Sequence, residues 1–133
     1  MELQKRRLKI LLIEDNRDFV FIMEEVFEQW GYETSVAYNG SDGIKVAKEK
    51  KPDVIICDIG LPVMNGFEVA GCIKEDFELK DIYLIALTGY AGQRDMDLCR
   101  ESGFNRHLAK PIDLNLLFNI LSEINTNRQQ EFI

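Results

Sequence analysis

A doubly wound α/β fold, with five parallel strands between two layers of helices, follows from three features of this 133-residue chain. Short β-branched apolar runs alternate with stretches of helical periodicity five times over, the pattern of a parallel sheet built from strand-helix units. The runs at 8–13 and 53–57 are apolar nearly throughout, as strands covered on both faces are. Turn and cap residues (Gly31, Asn39-Gly40, Pro52, Asn65-Gly66, Gly103, Pro111) fall between the runs and not inside them.

The first strand is Leu8 to Ile13. Asn16 can cap the helix that follows, whose apolar residues Phe19, Ile22, Met23, Val26, Phe27 and Trp30 recur at helical spacing. Gly31 closes it as a left-handed cap. Glu33 to Ala37 is a short second strand. After the Asn39-Gly40 turn, Ser41 to Lys51 forms a weaker helix with Ile44 and Ala47 inside, stopped by Pro52. Asp53 to Cys57 is the third strand. Asn65-Gly66 opens a third helix with Phe67, Ala70 and Ile73 inward, and Ile82 to Leu87 is the fourth strand. Ala91 to Glu101 is the thinnest helix, with only Met96, Leu98 and Cys99 as its stripe, and Gly103 ends it. Arg106 to Ala109 is the fifth strand. Pro111 breaks the chain, Asp113 caps, and Leu114 to Ile124 is the last helix; residues 125–133 read as a fraying polar tail. The expected order is flavodoxin-like, 2-1-3-4-5, in one domain spanning 1–133 with its core at about 8–124. Right-handed crossovers then put all five strand ends on one edge.

Bulk properties narrow the function. No apolar run nears the ~20 residues of a membrane span, and no signal-type segment precedes residue 8. Cys57, Cys72 and Cys99 show no metal or redox spacing and read as reduced buried thiols of a cytoplasmic protein. A net charge of −7 argues against direct nucleic-acid binding. The short basic cluster Lys5-Arg6-Arg7 reads as a solvated lead-in.

Carboxylates collect on the edge where ligands bind in such sheets. Glu14 and Asp15 follow the first strand and Asp58 the third; Thr88 follows the fourth and Lys110 the fifth. Each has an ordinary reading alone: a helix-start acid, a turn former, a loop hydroxyl, a solvated cation. Their common position at the strand ends points to a site. Three carboxylates brought together repel one another. A hard divalent cation relieves this, and Mg²⁺, which takes a few oxygen ligands and keeps several waters, is the natural choice. Lys110 can neutralise a phosphoryl group and Thr88 can donate a hydroxyl to it. Asp58 can attack phosphorus and form an acyl phosphate.

With Ile13-Glu14-Asp15-Asn16, Asp58-Ile59-Gly60-Leu61-Pro62-Val63-Met64-Asn65-Gly66, Leu87-Thr88-Gly89 and Leu108-Ala109-Lys110-Pro111 in place, the chain resembles the receiver domain of two-component response regulators over about residues 8–124. The resemblance implies a phosphorelay switch in which Asp58 accepts phosphate from a phosphohistidine on a sensor histidine kinase or histidine phosphotransfer protein. It implies Mg²⁺ held by Asp15 and Asp58 directly, by Glu14 through water, and by the main-chain carbonyl of Gly60. Thr88 then moves toward the phosphoryl group, Lys110 contacts it, and the Lys110-Pro111 bond is cis. Output to a downstream protein runs through the fourth helix, fifth strand and fifth helix, where Phe118 and Leu114 are candidate contacts or pack under the chain's own tail. The segment from Gly103 to Asp113 is phrased like free-standing receivers or those fused to sensor kinases.

Two positions depart from the family pattern. His107 stands where a tyrosine or phenylalanine often turns inward on activation; the imidazole either makes that turn as a switch or stays exposed. Gly89 follows Thr88 and loosens the backbone there. Gly60 and Tyr90 occupy positions that tune phosphoryl lifetime in the family. About eight residues follow the last expected helix, too few for an effector domain, so the chain is expected to be either a lone receiver or a piece cut from a longer protein. The domain is not expected to be an enzyme in the usual sense, since it would assist only its own phosphorylation and dephosphorylation. The alternative is a receiver-fold scaffold that binds partners without phosphorylation; it predicts a missing acceptor, metal ligand or lysine, and all are present. An aspartyl phosphatase wants a second Asp where Gly60 stands. A flavin or nucleotide binder wants a phosphate loop where Glu14-Asp15 stands.

Overall fold

A computed structural model describes residues 6–89 and 92–130. Five strands and five helices alternate: β1 (Lys9–Ile13), α1 (Arg17–Gln29), β2 (Glu33–Ala37), α2 (Gly40–Lys50), β3 (Val54–Asp58), α3 (Gly66–Glu75), β4 (Tyr83–Thr88), α4 (Gln93–Ser102), β5 (Arg106–Ala109) and α5 (Leu114–Gln130). All strand pairs are parallel and the order is β2-β1-β3-β4-β5, as expected.

Strand side chains alternate between two apolar layers because successive residues of a strand point to opposite faces. Leu11, Ile13, Ile55, Cys57, Leu84 and Ala86 meet α2, α3 and α4 through Ala47, Val69, Ala70, Ile73 and Cys99. Ile10, Leu12, Val54, Ile56, Ile85 and Leu87 meet α1 and α5 through Val20, Met23, Phe27, Leu117, Ile120 and Leu121. Burial of both faces explains the runs without polar interruption.

Local signals account for the helix ends. The side chains of Asn16, Asn39 and Asn65 each accept the N–H of the residue three further on, satisfying a donor that a helix start leaves open. Gly31 and Gly103, at φ +86° and +107°, turn the chain out of α1 and α4. Asp113 accepts the N–H groups of Asn115 and Leu116 at the start of α5.

Four expectations are corrected. Ile22 does not join the inner stripe of α1; it is exposed, and Val20 takes its place beside Met23 and Phe27. Arg6 and Arg7 are not a free lead-in. Arg6 pairs with Asp53 at 3.0 Å, and Arg7 donates to the carbonyls of Gly31 and Tyr32 at 3.0 and 2.6 Å. Lys5 lies outside the described residues. Cys72 is exposed, while Cys57 and Cys99 are buried; all three are free. The last helix continues to Gln130, because Arg128 donates to the carbonyl of Arg6 at 2.6 Å and to the Asn125 side chain at 2.8 Å. Residues 131–133 lie outside the described residues, as does Ala91, the expected start of the fourth helix.

Candidate functional site

The carboxyl edge of the sheet gathers its acids through register. β1 ends at Ile13, so Glu14 and Asp15 leave the sheet beside the end of β3, whose last residue is Asp58. Glu14 stays attached to the sheet edge: its N–H donates to the Ala37 carbonyl at 3.0 Å, and its side chain is 1 % exposed. One carboxylate oxygen from each of Glu14, Asp15 and Asp58 lies within 4.8 Å of the other two. Behind Asp58 the chain packs without slack. A Cβ on Gly66 would lie 2.5 Å from the Ile59 Cα and 2.7 Å from the Asp58 carbonyl, so only glycine lets α3 start there.

Among the described residues one cation, Lys110, pairs with two of the three acids. The Lys110 ammonium donates to Glu14 Oε1 at 2.5 Å and to Asp58 Oδ2 at 3.3 Å. Its backbone N–H is fixed to the Thr88 carbonyl at 2.8 Å, and the peptide bond to Pro111 is cis, as expected. Asp58 Oδ1 accepts the N–H of Gly60 at 2.9 Å, so the two oxygens of that carboxylate have different neighbours. Glu14 Oε2 accepts the N–H of Asn16 at 3.0 Å.

Electrostatics reflect this crowding. Burial pushes the Glu14 carboxyl above its ordinary range, and Asp15 and Asp58 add to the rise; the bonds from Lys110 and the Asn16 N–H oppose it without reversing it. Burial pulls on Lys110 in the opposite sense, but its bond to Glu14 and the nearby charge of Asp58 outweigh this and hold the ammonium above its usual pKa. Thr88 is 1 % exposed, and its hydroxyl has no hydrogen-bond partner. Buried hydroxyls are nearly always paired, so an orphan at a cluster of charges marks a place for a ligand. The oxygen-only donor set suits a hard divalent cation such as Mg²⁺, and it leaves Lys110 and Thr88 available to an anion.

The sequence-derived residues separate into two groups. Glu14, Asp15, Asp58 and Lys110 converge, with Gly60 bonded to Asp58 and Thr88 one strand away. His107 stands apart. It is half-buried on β5 opposite Ala86 and lines a groove of about 380 Å³ beside α4 and α5. Tyr90 lies outside the described residues. Gly89 meets nothing within 4 Å of an added Cβ. Two neighbours escaped sequence reasoning. The Phe19 ring lies 5.2 Å from the Lys110 ammonium; its place in the first turn after the Asn16 cap was the available signal. Val63 is fully exposed in the loop after Asp58 at φ +68°, a conformation that β-branched residues rarely hold.

Comparison with known proteins agrees with this geometry. The family model for the response regulator receiver domain matches residues 10–122. The polar-differentiation response regulator DivK of Brucella anthropi is 35 % identical over 105 residues, which cover 79 % of this chain and 85 % of that protein. The receiver domain of a sensor histidine kinase from Pseudomonas aeruginosa, solved with magnesium coordinated in its active-site cleft, superposes with a TM-score of 0.83 at 30 % identity, over 91 % of this chain and 99 % of that one. A chemotaxis protein of Vibrio cholerae shares the fold with a TM-score of 0.84 at 24 % identity, over 90 % of this chain and 99 % of that one.

Proposed function

This chain belongs to the response regulator receiver domain family of two-component systems, and from that premise we propose that it is a phosphorylation switch with Asp58 as the phosphoryl acceptor. The observation that carries the reading is the convergence of Glu14, Asp15 and Asp58 on one point with Lys110 bridging two of them. Asp58 Oδ2 attacks the phosphorus of a partner's phosphohistidine; the P–O bond forms as the P–N bond breaks, and the imidazole leaves. The Gly60 N–H holds Oδ1 and so presents Oδ2 on the Lys110 side. Lys110 meets the charge on the incoming phosphoryl oxygens, and the orphan Thr88 hydroxyl donates to one of them. Positioning and charge do most of this work, as phosphoryl transfer requires.

Glu14, Asp15, Asp58 and the Gly60 carbonyl would hold Mg²⁺, which when bound neutralises the acids and the transferred group. The donor is a sensor histidine kinase or a histidine phosphotransfer protein. The output surface is α4, β5 and α5, with His107 and Thr88 as the residues that respond. No free substrate is turned over. Among the described residues no helix is long and apolar enough to cross a membrane, and the reading places the switch in the cytoplasm.

The test is incubation with acetyl phosphate, with and without Mg²⁺, followed by intact mass. The wild-type chain should gain one phosphoryl group only with Mg²⁺, and Asp58→Asn should gain none. A folded wild-type chain that stays unlabelled, or a mutant that still labels, removes Asp58 as acceptor.

A further inference from the structure

Four residues form a closed circuit of contacts at the carboxyl edge. Glu14 Oε1 accepts the Lys110 ammonium, and Glu14 Oε2 accepts the Asn16 N–H at 3.0 Å. Asn16 Oδ1 accepts the Phe19 N–H at 3.1 Å, and the Phe19 ring lies 5.2 Å from the same ammonium. The first turn of α1 is tied to Glu14 through its cap and returns to Lys110 through an aromatic face. Phe19 is half-buried and packs against the apolar layer shared by α1 and α5, so its ring stands on a rigid element. Lys110 has less support of its own. Its backbone is bonded to Thr88, but its side chain is long, rotatable and 28 % exposed. The two carboxylates that hold the ammonium also belong to the acid cluster. A divalent cation bound there draws on the same oxygens and weakens their hold on Lys110. An aromatic face attracts an ammonium but is no ligand for a hard cation, so the Phe19 contact outlasts that competition.

We propose that Phe19 is a positioning residue for phosphoryl transfer: its ring confines the Lys110 ammonium beside Asp58 Oδ2 while Mg²⁺ and the phosphoryl group take up the carboxylate oxygens. The proposal rests on the reading that Asp58 is the acceptor, and it extends the machinery to a side chain that acts only through Lys110. An ammonium already held in place meets the incoming phosphoryl oxygens without first losing side-chain freedom. Transfer that depends on positioning and charge slows when that freedom is restored. A cation–π contact at a partly exposed site is worth a factor of roughly two to five. The effect falls on the rate of phosphoryl acceptance and not on metal affinity, because the ring acts on Lys110 and not on the oxygens. The competing account is that Phe19 only fills space between α1 and the sheet. Its shape then matters and its electrons do not.

Fluorinated phenylalanines placed at position 19 of the whole chain separate the two accounts. Successive ring fluorines weaken the negative face of the ring with little change in its shape. Each variant is labelled with acetyl phosphate in Mg²⁺, and the rate is followed by intact mass. The rate should fall stepwise from the unmodified to the trifluorinated ring, by roughly two- to fivefold in all. Phe19→Trp should keep the wild-type rate, and Phe19→Leu should lose as much as the trifluorinated ring. Mg²⁺ affinity, read from the amide shifts of residues 58–60, should be the same throughout. A second arm needs no phosphorylation. The ε-methylene protons of Lys110 should be shifted upfield by the ring, in EDTA and in Mg²⁺ alike, and Phe19→Leu should abolish the shift. In a chain that labels, a rate indifferent to fluorination overturns the positioning role and leaves Asp58 as acceptor. So does a Lys110 shift that is absent, that survives Phe19→Leu, or that vanishes when Mg²⁺ is added. A folded wild-type chain that stays unlabelled removes the acceptor reading and this proposal with it.

Discussion

The two edges of the sheet treat the same side chain in opposite ways. At the amino edge Asp53 accepts hydrogen bonds from the Arg6 guanidinium at 3.0 Å and the Lys9 N–H at 2.8 Å, and the Arg128 guanidinium lies 4.0 Å away as a second opposite charge. At the carboxyl edge Glu14, Asp15 and Asp58 crowd one point, and Lys110 pairs with Glu14 and Asp58. Among the described residues two cations face one carboxylate at the amino edge, and one cation faces three at the carboxyl edge. A charge-compensated carboxylate closes a structure, whereas an undercompensated cluster has free energy to gain from a ligand. The difference marks the carboxyl edge as the one with a ligand to gain.

The contrast can be broken in order of expected effect. Asp53→Ala leaves Arg128, only 10 % exposed, without its acid, and leaves the Lys9 N–H without its acceptor. Urea unfolding should show a loss of about 3 kcal/mol; a loss under 1 kcal/mol would mean that the amino edge is not held by charge. Asp58→Asn in EDTA should go the other way, a gain of about 1 kcal/mol, since one of three mutually repelling acids is neutralised. A clear loss there would undo the idea that the carboxyl edge is undercompensated.

A finer measurement uses pH. The folded chain holds Glu14 above its unfolded pKa, chiefly through burial. Its contribution to stability is therefore fully present below the unfolded value and is lost as pH rises through the raised, folded value. Unfolding in EDTA at a series of pH values should show this fall, Glu14→Gln should flatten it, and a slope that survives the substitution would assign it to another group. The smallest effect belongs to a pair on neither edge's network. Lys51 and Glu78 meet at 2.7 Å but are both well exposed, so Glu78→Gln should leave the urea midpoint where it is, and a clear shift would show that the pair contributes despite its exposure.

Much of this molecule was readable before any coordinates, and the exceptions share a cause. β2 and β5 have the bounds expected of them, 33–37 and 106–109, because turn residues flank both. The convergence of Glu14, Asp15 and Asp58 was readable because each acid ends an apolar run and right-handed crossovers leave only one edge for those ends. α1 was misread because two overlapping stripes, one through Ile22 and one through Val20, both satisfy helical spacing. Only the position of the sheet chooses between them. The tertiary roles of Arg6, Arg7 and Arg128 were not readable, since the partners that fix them to other elements lie 24 to 122 positions away in sequence. Phe19 was assigned to the core on periodicity; its place just after the Asn16 cap put it near the carboxyl edge, but the ammonium beside its ring comes from 91 positions further along the chain.

The bond between the Arg128 guanidinium and the Arg6 carbonyl spans 122 positions of sequence with one contact of 2.6 Å. The two ends of the described chain therefore meet on the face of the molecule farthest from Asp58, which lies at the opposite ends of the strands. A short flexible linker between them would close the backbone into a ring without crossing the sheet. New ends could then be opened at an exposed connection such as residues 76–78, between α3 and β4. Such a rearranged chain would keep every strand neighbour while placing β4 and β5 ahead of β1 in the order of synthesis. It would also let a reporter be attached at the amino edge, a full strand length from the acids it is meant to report on.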